Sequence, residues 1–311
     1  RPLFNATVVE RLSSYNYSGR IETAEFGIGR AFINFSNSEF DFILCNDVFG
    51  EYRKFAAEKN LFYIHPTYGT VSRYGLIPVA TSMDQIGILC KNPRDGFEVL
   101  SKIAGKDEKD GAMFPEEKYD FQKLEKEIKL VKFEDIKLEY FDVCRHVMYI
   151  LSSAEFSHNI NRYDGIKYGY RTPESKGLNE LYMKSRSEGL GSDVKFAALV
   201  GVTVLSHGRY SAYYEKSMKI RRLIKESLLF DEYDVIILPC TIGKYEYENS
   251  ALYALANLAG LPSVSFSHKG NTVQLIANVK NENALLTALD KFECDSSMQS
   301  KNRSASPEVL T

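Results

Sequence analysis

The chain has 311 residues and a formal charge of −2, and its hydrophobic and charged fractions of 44% and 26% are ordinary for a globular protein. The nearly neutral balance excludes a general attraction to nucleic acid, so any RNA contact has to be local. No run of about 18 apolar residues is present, so the sequence predicts no membrane-spanning helix.

Cysteines and histidines give no sign of a metal or disulfide framework. The five cysteines form no CxxC pair, and the five histidines lack metal-type spacing. Because disulfide-stabilised domains are short and rich in cysteine, buried free thiols are the better interpretation. We therefore expect no cofactor and a reducing compartment, either the cytoplasm or an organelle matrix.

The N-terminal half alternates helix and strand signals. Asn5 to Leu12 predicts a short helix, and a buried strand ends at Leu44. Asn92 to Ala104 predicts a helix, since apolar residues recur at helical spacing after an asparagine cap and a proline. The polar residues 106–129 predict a solvated loop and a surface helix. Residues 141–156 are apolar enough for a core helix.

The C-terminal half continues this alternation. A long helical region runs from Asp193 to Leu229 and is expected to break near Gly208. Three strands and a last helix follow, at Val235–Leu238, Val264–Phe266, Val273–Ile276 and Asn281–Leu289. The alternation predicts an α/β protein, with one domain over residues 1–294 and a polar, disordered tail at 295–311.

Four sequence blocks resemble the A subunits of tRNA-dependent amidotransferases, within the amidase-signature family. They are, in chain order, HPTYGTVSRYGLIPVATSMDQIG (65–87), the RYDG block with its continuation (162–195 and 204–228), YDVIILPCT (233–241) and NLAGLPSVSF (257–266). TAEFGIG (23–29) also resembles the strand that precedes the family's glycine-serine motif. The resemblance implies a mixed β-sheet with helices on both faces, truncated at the N-terminus. It also implies the B and C subunits of such an enzyme as partners, indirect contact with tRNA and no membrane.

The family cleaves amides with a Ser–Ser–Lys arrangement, as the resemblance implies. A serine hydroxyl needs a nearby base, and the lysine must be desolvated to be uncharged and basic. The bridging serine lies in a glycine-rich turn, but this chain has no glycine between Gly29 and Asp47. The family's lysine belongs to a segment N-terminal to anything present here, so no residue matches it.

The nucleophile position aligns without a gap. The family pattern Asp-Thr-Gly-Gly-Ser-Ile-Arg corresponds here to DVFGEYR, residues 47–53. Asp47, Gly50 and Arg53 match, whereas Glu51 stands at the serine position. Phe49 replaces a glycine of the loop that binds the oxyanion, and would crowd a substrate carbonyl.

The residues that would hold a glutamine substrate are also changed. The family's arginine and aspartate correspond to Phe196 or Ala197 and to Ser250. Losing an arginine removes a pair of charge-assisted hydrogen bonds to a carboxylate. A tyrosine of the family is retained as Tyr168 or Tyr170. We expect a relic pocket formed by Asp47, Gly50, Glu51, Arg53, Tyr168, Tyr170 and Ser250.

Other chemically suggestive residues receive structural interpretations. Glu51 is a poor nucleophile toward an amide, because the product would be a reactive anhydride; pairing with Arg53 or another neighbouring basic side chain is favoured. His65 and Cys45 are expected to be structural. Five basic residues indicate an ordinary solvated helix face, with an RNA or partner contact as the alternative: Lys216, Lys219, Arg221, Arg222 and Lys225.

Two functions follow from this resemblance. The first is a catalytically inactive A-subunit-like protein, a pseudo-amidase, that retains a role in assembly or ligand binding. The second is a working component of a glutamine-dependent aspartyl/glutamyl-tRNA amidotransferase. The second requires another polypeptide to supply the lysine and the glycine-serine loop.

Overall fold

The structure is a computed structural model that describes residues 4–14, 41–228, 230–241 and 246–303, without the side chains of 246–248 and 293–303. The block at 23–29 and the glycine-free stretch that precedes residue 41 lie outside the described residues. The same is true of residues 304–311.

A mixed seven-stranded sheet forms the centre of the fold. Its strands are β1 (Phe42–Asn46), β2 (Phe62–His65), β3 (Ile86–Cys90), β4 (Leu130–Lys132), β5 (Val235–Pro239), β6 (Ser263–His268) and β7 (Asn271–Ala277). Their spatial order is β1-β3-β2-β6-β7-β5-β4. Only β4 and β5 pair in parallel among these strands, and the other neighbours are antiparallel.

Helices connect the strands and cover the sheet. They are α1 (Thr7–Ser14), α2 (Glu51–Glu58), α3 (Pro93–Ile103), α4 (Cys144–Asn159), α5 (Leu178–Gly189), α6 (Ser192–Leu205), α7 (Lys216–Glu226), α8 (Glu246–Ala259) and α9 (Glu282–Arg303). A π-helical turn, Ser211–Glu215, precedes α7. None of the described helices has the length and apolar character of a membrane span.

The two sheet faces are covered by different helices. The helices α3 and α9 pack on one face, where Ile64, Val264 and Leu275 belong to a large apolar core. The helix α2 packs on the other face over β2, β6 and β7. Beside α2, a second core joins α4 and α8 to β5 through Met148, Leu252 and similar side chains. The predicted mixed sheet with helices on both faces is therefore confirmed.

Residues 106–129 contradict the sequence prediction, because they contain no helix. Their backbone groups bond to distant parts of the chain: Phe114 N–H donates to Gly69, and Leu124 N–H donates to Thr287 Oγ1. An extended segment fastened in this way cannot also form the local i to i+4 bonds of a helix. The charge pattern carried no information about those distant partners.

The other predicted elements are present with shifted ends. The core helix starts at Cys144, after a 3₁₀ turn, rather than at residue 141. The long helical region breaks at Ser206 to Arg209, around Gly208 as expected. Backbone helix continues to Arg303, beyond the predicted boundary at residue 294. That domain boundary and the disordered tail stay predictions, because the last eight residues are not described.

Candidate functional site

The loop between β1 and α2 places Glu51 at the first position of a helix. Gly50 precedes it with φ of 85°, a left-handed conformation that favours glycine. A Cβ atom on Gly50 would also overlap the ring of Tyr253. A glycine is therefore required here by both conformation and space, and it turns the exposed Glu51 side chain away from the sheet.

Asp47 and Arg53 form a buried ion pair beneath this loop. Arg53 Nε lies 2.9 Å from Asp47 Oδ2, and the side chains are 0% and 2% exposed. The remaining guanidinium N–H groups donate to the backbone oxygens of Asp47 and Tyr253 and to Asn257 Oδ1. Arg53 is thus engaged with Asp47, and the predicted pairing of Glu51 with Arg53 or another neighbouring basic side chain stays a prediction.

Asp47 also occupies the backbone donors at the start of α2. Its carboxylate accepts hydrogen bonds of 3.1 Å from the N–H groups of both Tyr52 and Arg53. Free N–H groups at such a helix start are what an oxyanion site uses. Since the Asp47 carboxylate accepts hydrogen bonds from two of them, it caps the helix, in place of the side-chain cap that Gly50 cannot provide.

A cavity of about 240 Å³ opens at the start of α2. Glu51 and Lys54 line one side, and the buried residues Asn249 and Ser250 of α8 line another. Its remaining lining residues are Phe49, Gly50, Tyr149 and Tyr253. The cavity thus contains side chains of both charges between aromatic walls.

Two aromatic rings pack against each other in the wall of this cavity. The rings of Phe49 and Tyr149 stack with centroids 5.5 Å apart. Phe49 and Glu51 also line a larger, mostly apolar cleft of about 680 Å³ beside α1. These two residues therefore stand between the small cavity and the cleft.

The structure brings only part of the predicted pocket together. Gly50, Glu51 and Ser250 line the cavity, and Asp47 and Arg53 support it from below. Tyr168 and Tyr170 do not line it; they are 53% and 49% exposed.

The position predicted to correspond to the family's substrate-binding arginine also lies outside this cavity. Phe196 is 69% exposed on α6, and Ala197 follows it on the same helix. Neither residue is part of the cavity lining.

Sequence reasoning missed four residues of the site: Lys54, Tyr149, Asn249 and Tyr253. Tyr149 lies on α4, where nothing distinguishes it from the other apolar residues of a core helix. Asn249 and Tyr253 precede the NLAGLP block, and their helical spacing from Asn257 could have placed them on one face of α8.

Several residues beside the site have structural roles, as expected. Cys45 is buried, and burial together with the charge of Asp47 raises the pKa of its thiol well above the usual value. The Asp84 carboxylate accepts hydrogen bonds from the Asn46 side chain and from the N–H groups of Val79 and Ala80. These contacts fix the segment between Val79 and β3.

His65 is fully buried on β2. Burial and the nearby positive charge of Arg53 hold its pKa well below the usual value. A neutral imidazole is a possible base in chemical terms, but this ring lies under α2 and does not line the cavity. Within the described residues, no group of three or more His, Cys, Asp or Glu side chains is arranged to hold a metal ion.

Comparisons with known proteins agree on one family. A family model described as Amidase matches residues 44–132 and 121–286. The A subunit of glutamyl-tRNA(Gln) amidotransferase from Lachnoclostridium phytofermentans is 36% identical over 71% of this chain and 55% of its own length. The protein of the same name from Bacillus pumilus is 33% identical over 85% of this chain and 70% of its own length. The chain thus spans about half to two thirds of these relatives.

Solved structures share the fold. The A subunit of glutamyl-tRNA(Gln) amidotransferase from Thermotoga maritima superposes with a TM-score of 0.66 at 22% identity, covering 92% of this chain and 75% of that one. A structure described as an inhibitor-bound vestigial protein complex, related to the origins of an s-triazine catabolic enzyme, has a TM-score of 0.70 at 18% identity, covering 91% and 75%. At these identities the likeness concerns the fold alone.

Replacing Arg53 by methionine should destabilise the protein strongly. Asp47 would remain buried without its counter-ion, which typically costs about 3–5 kcal/mol. Arg94→Met is the matched control, because Arg94 pairs with Asp290 at 3.6 Å and is 61% exposed. The control should cost less than about 1 kcal/mol. Urea unfolding measures both, and similar losses in the two variants would contradict the assigned role of the buried pair.

The stability of the fold should fall as the pH drops below the pKa of a free histidine, about 6.5. The pKa of His65 is lowered in the folded state, so the unfolded chain binds the proton more readily. The loss is then about 1.4 kcal/mol per pH unit between 6.5 and the lowered value. Below the lowered pKa the loss levels off.

Urea unfolding of the wild type and His65→Asn at pH 7.5 and 5.5 tests this dependence. Burial raises the pKa values of Asp84 and Glu282, so these carboxyls favour the folded state at low pH. Their contribution is common to both proteins and cancels in the comparison. The variant should lose less stability than the wild type on acidification, and equal losses would contradict the effect of His65.

Proposed function

Because this chain belongs to the amidase family, we propose that it is a protein like the A subunit of an amidotransferase that no longer cleaves amides. Glu51 carries this proposal. It begins α2 on the cavity wall, at the position where the DTGGSIR pattern of the family has its nucleophilic serine. A carboxylate there is acceptor-only when ionised and repels the oxyanion that amide cleavage develops.

The surroundings of Glu51 support the same conclusion. Phe49 fills the space of a glycine. A lysine base has to be desolvated to act at neutral pH, and no lysine is buried among the residues whose side chains are described.

The cavity retains the features of a small-molecule site. It combines an aromatic wall with Glu51, Lys54 and two buried polar residues, Asn249 and Ser250. We expect it to accept a small polar molecule with an amino-acid-like arrangement of charges. Glutamine binding without turnover is therefore consistent with the proposed function.

The purified protein should release no ammonia from glutamine or asparagine, with or without partner subunits. Glu51→Ser should also remain inactive, because a serine hydroxyl needs a nearby base and no lysine is buried among the residues whose side chains are described. Ammonia release is measured with a coupled assay, in which a full-length relative of known activity serves as the positive control. Glutamine-dependent release by the wild type that disappears in Glu51→Ala would instead favour the working amidotransferase.

An assembly role is the second part of the proposed function. The relatives are named as subunits, and one helix here has an unusually apolar surface. Phe196, Leu199 and Val202 recur along α6 and are 69%, 67% and 61% exposed. Contiguous exposed apolar side chains mark protein interaction surfaces. We propose that this stripe contacts the B or C subunits of an amidotransferase, and that any contact with tRNA is made through them.

The basic face of α7 gives little support to direct RNA binding. Arg221 donates to the carbonyl oxygen of Leu258 and to both oxygens of Ser82, and Arg222 pairs with Glu226. Two of the five cations are thus engaged within the protein. A local RNA contact would depend on the remaining lysines, interspersed with Glu215 and Glu226. The buried cysteines suit the cytoplasm or an organelle matrix.

Leu199→Ser should weaken co-elution with the B and C subunits at least tenfold. The matched control is Ile77→Ser, because Ile77 is 69% exposed, close to the 67% of Leu199, but lies outside α6. Analytical size-exclusion chromatography of the mixed subunits gives the apparent affinity. If the wild type does not co-elute with the subunits, or if both variants co-elute as well as the wild type, the stripe is not the assembly surface.

A further inference from the structure

Polar side chains occupy adjacent positions on the sheet face beneath α2. His65 on β2 is directly opposite Ser263 on β6, and Ser265 on β6 is directly opposite Gln274 on β7. The two serines are two residues apart, so they share this face. Gln85 approaches His65 from the segment before β3. These five residues form a continuous polar layer.

Every member of the polar layer is buried, with exposed fractions between 0% and 3%. Six of its atoms make no well-formed hydrogen bond within the protein, although His65 lies within reach of Gln85 and Ser265 lies within reach of the Cys240 thiol. The six atoms are both ring nitrogens of His65, Oε1 of Gln85 and Gln274, and Oγ of Ser263 and Ser265. The opposite face of β6 carries Val264 and Phe266, so the polarity is restricted to the side under α2.

Hydrogen-bonding groups beside the layer already have partners elsewhere in the protein. Gln85 Nε2 donates to the Pro66 oxygen and Gln274 Nε2 donates to the Leu252 oxygen, which leaves each Oε1 without a partner. The strand β6 pairs with β2 on one edge and β7 on the other, so its backbone groups are engaged in the sheet. Six buried polar atoms left unpaired would cost free energy comparable to the stability of a whole domain.

The chemistry of the layer defines what can satisfy these atoms. With the imidazole neutral, one His65 nitrogen donates and the other accepts. The hydroxyls both donate and accept, and the two amide oxygens only accept. The Cys240 thiol approaches Ser265, but sulfur is a weak hydrogen-bonding group. No charged group belongs to the layer, and the nearby Arg53 guanidinium is already paired with Asp47. A small neutral molecule that both donates and accepts is required, and water has these properties.

We propose that the polar layer binds at least two ordered water molecules. One bridges His65, Gln85 and Ser263, and the second bridges Ser265 and Gln274. Together they form an internal hydration site between the sheet and α2, the helix that begins with Glu51. This site does not depend on the proposed function, because it rests on groups outside the cavity.

A crystal structure of the complete protein at a resolution of about 1.8 Å or better tests this directly. We expect density for both waters, each within hydrogen-bond distance of at least two layer residues, as buried waters usually make about three such bonds. The site is overturned if the hydroxyls and amide oxygens bond to one another, or remain unpaired, with no water between them.

The direction in which Ser265→Ala shifts the urea midpoint of unfolding provides an independent test. Removing a hydroxyl that holds a water should lower the urea midpoint of unfolding. Removing a dry, unpaired hydroxyl should leave the midpoint unchanged or raise it, and either result overturns the site. Ser157→Ala is the control, because Ser157 is also buried but donates at 2.8 Å to the oxygen of Ala154 within α4.

Discussion

The buried ion pair between Asp47 and Arg53 determines how the loop and the helix at the site are placed. Arg53 joins the end of β1, through Asp47, to the helix α8, through Tyr253 and Asn257. Asp47 in turn caps α2 through two backbone N–H groups. A single charge pair thus connects a strand and two helices that are distant in sequence, and the position of Glu51 follows from it.

The residues that hold the site in place are therefore different from the residue that faces the cavity. Asp47, Gly50 and Arg53 are each required by burial, backbone conformation or charge compensation, whether or not any reaction takes place. Glu51 meets no such requirement, because its side chain is exposed at the first turn of a helix, where a carboxylate is favoured by the helix dipole. The fold itself therefore places little constraint on which side chain stands at position 51.

Much of the fold and part of the site could be predicted from the sequence. The helix after Asn92 has a local cause, since the Asn92 side chain accepts a hydrogen bond from Arg94 N–H and a proline begins the first turn. Of the residues predicted for the pocket, Gly50, Glu51 and Ser250 line one cavity. Residues 106–129 were misjudged because distant partners, rather than charge spacing, determine their backbone conformation.

The partner of Arg53 could not be inferred from spacing alone. Glu51 lies two residues before Arg53 and Asp47 lies six before it, so proximity in sequence favours the wrong carboxylate. Residues two apart on a helix face different directions; a charge at the first position can therefore face solvent while one at the third points into the core. Burying a guanidinium requires a buried carboxylate and several further acceptors. In this structure the loop that precedes the helix supplies that carboxylate through Asp47, and Glu51 remains exposed in the cavity wall beside Lys54.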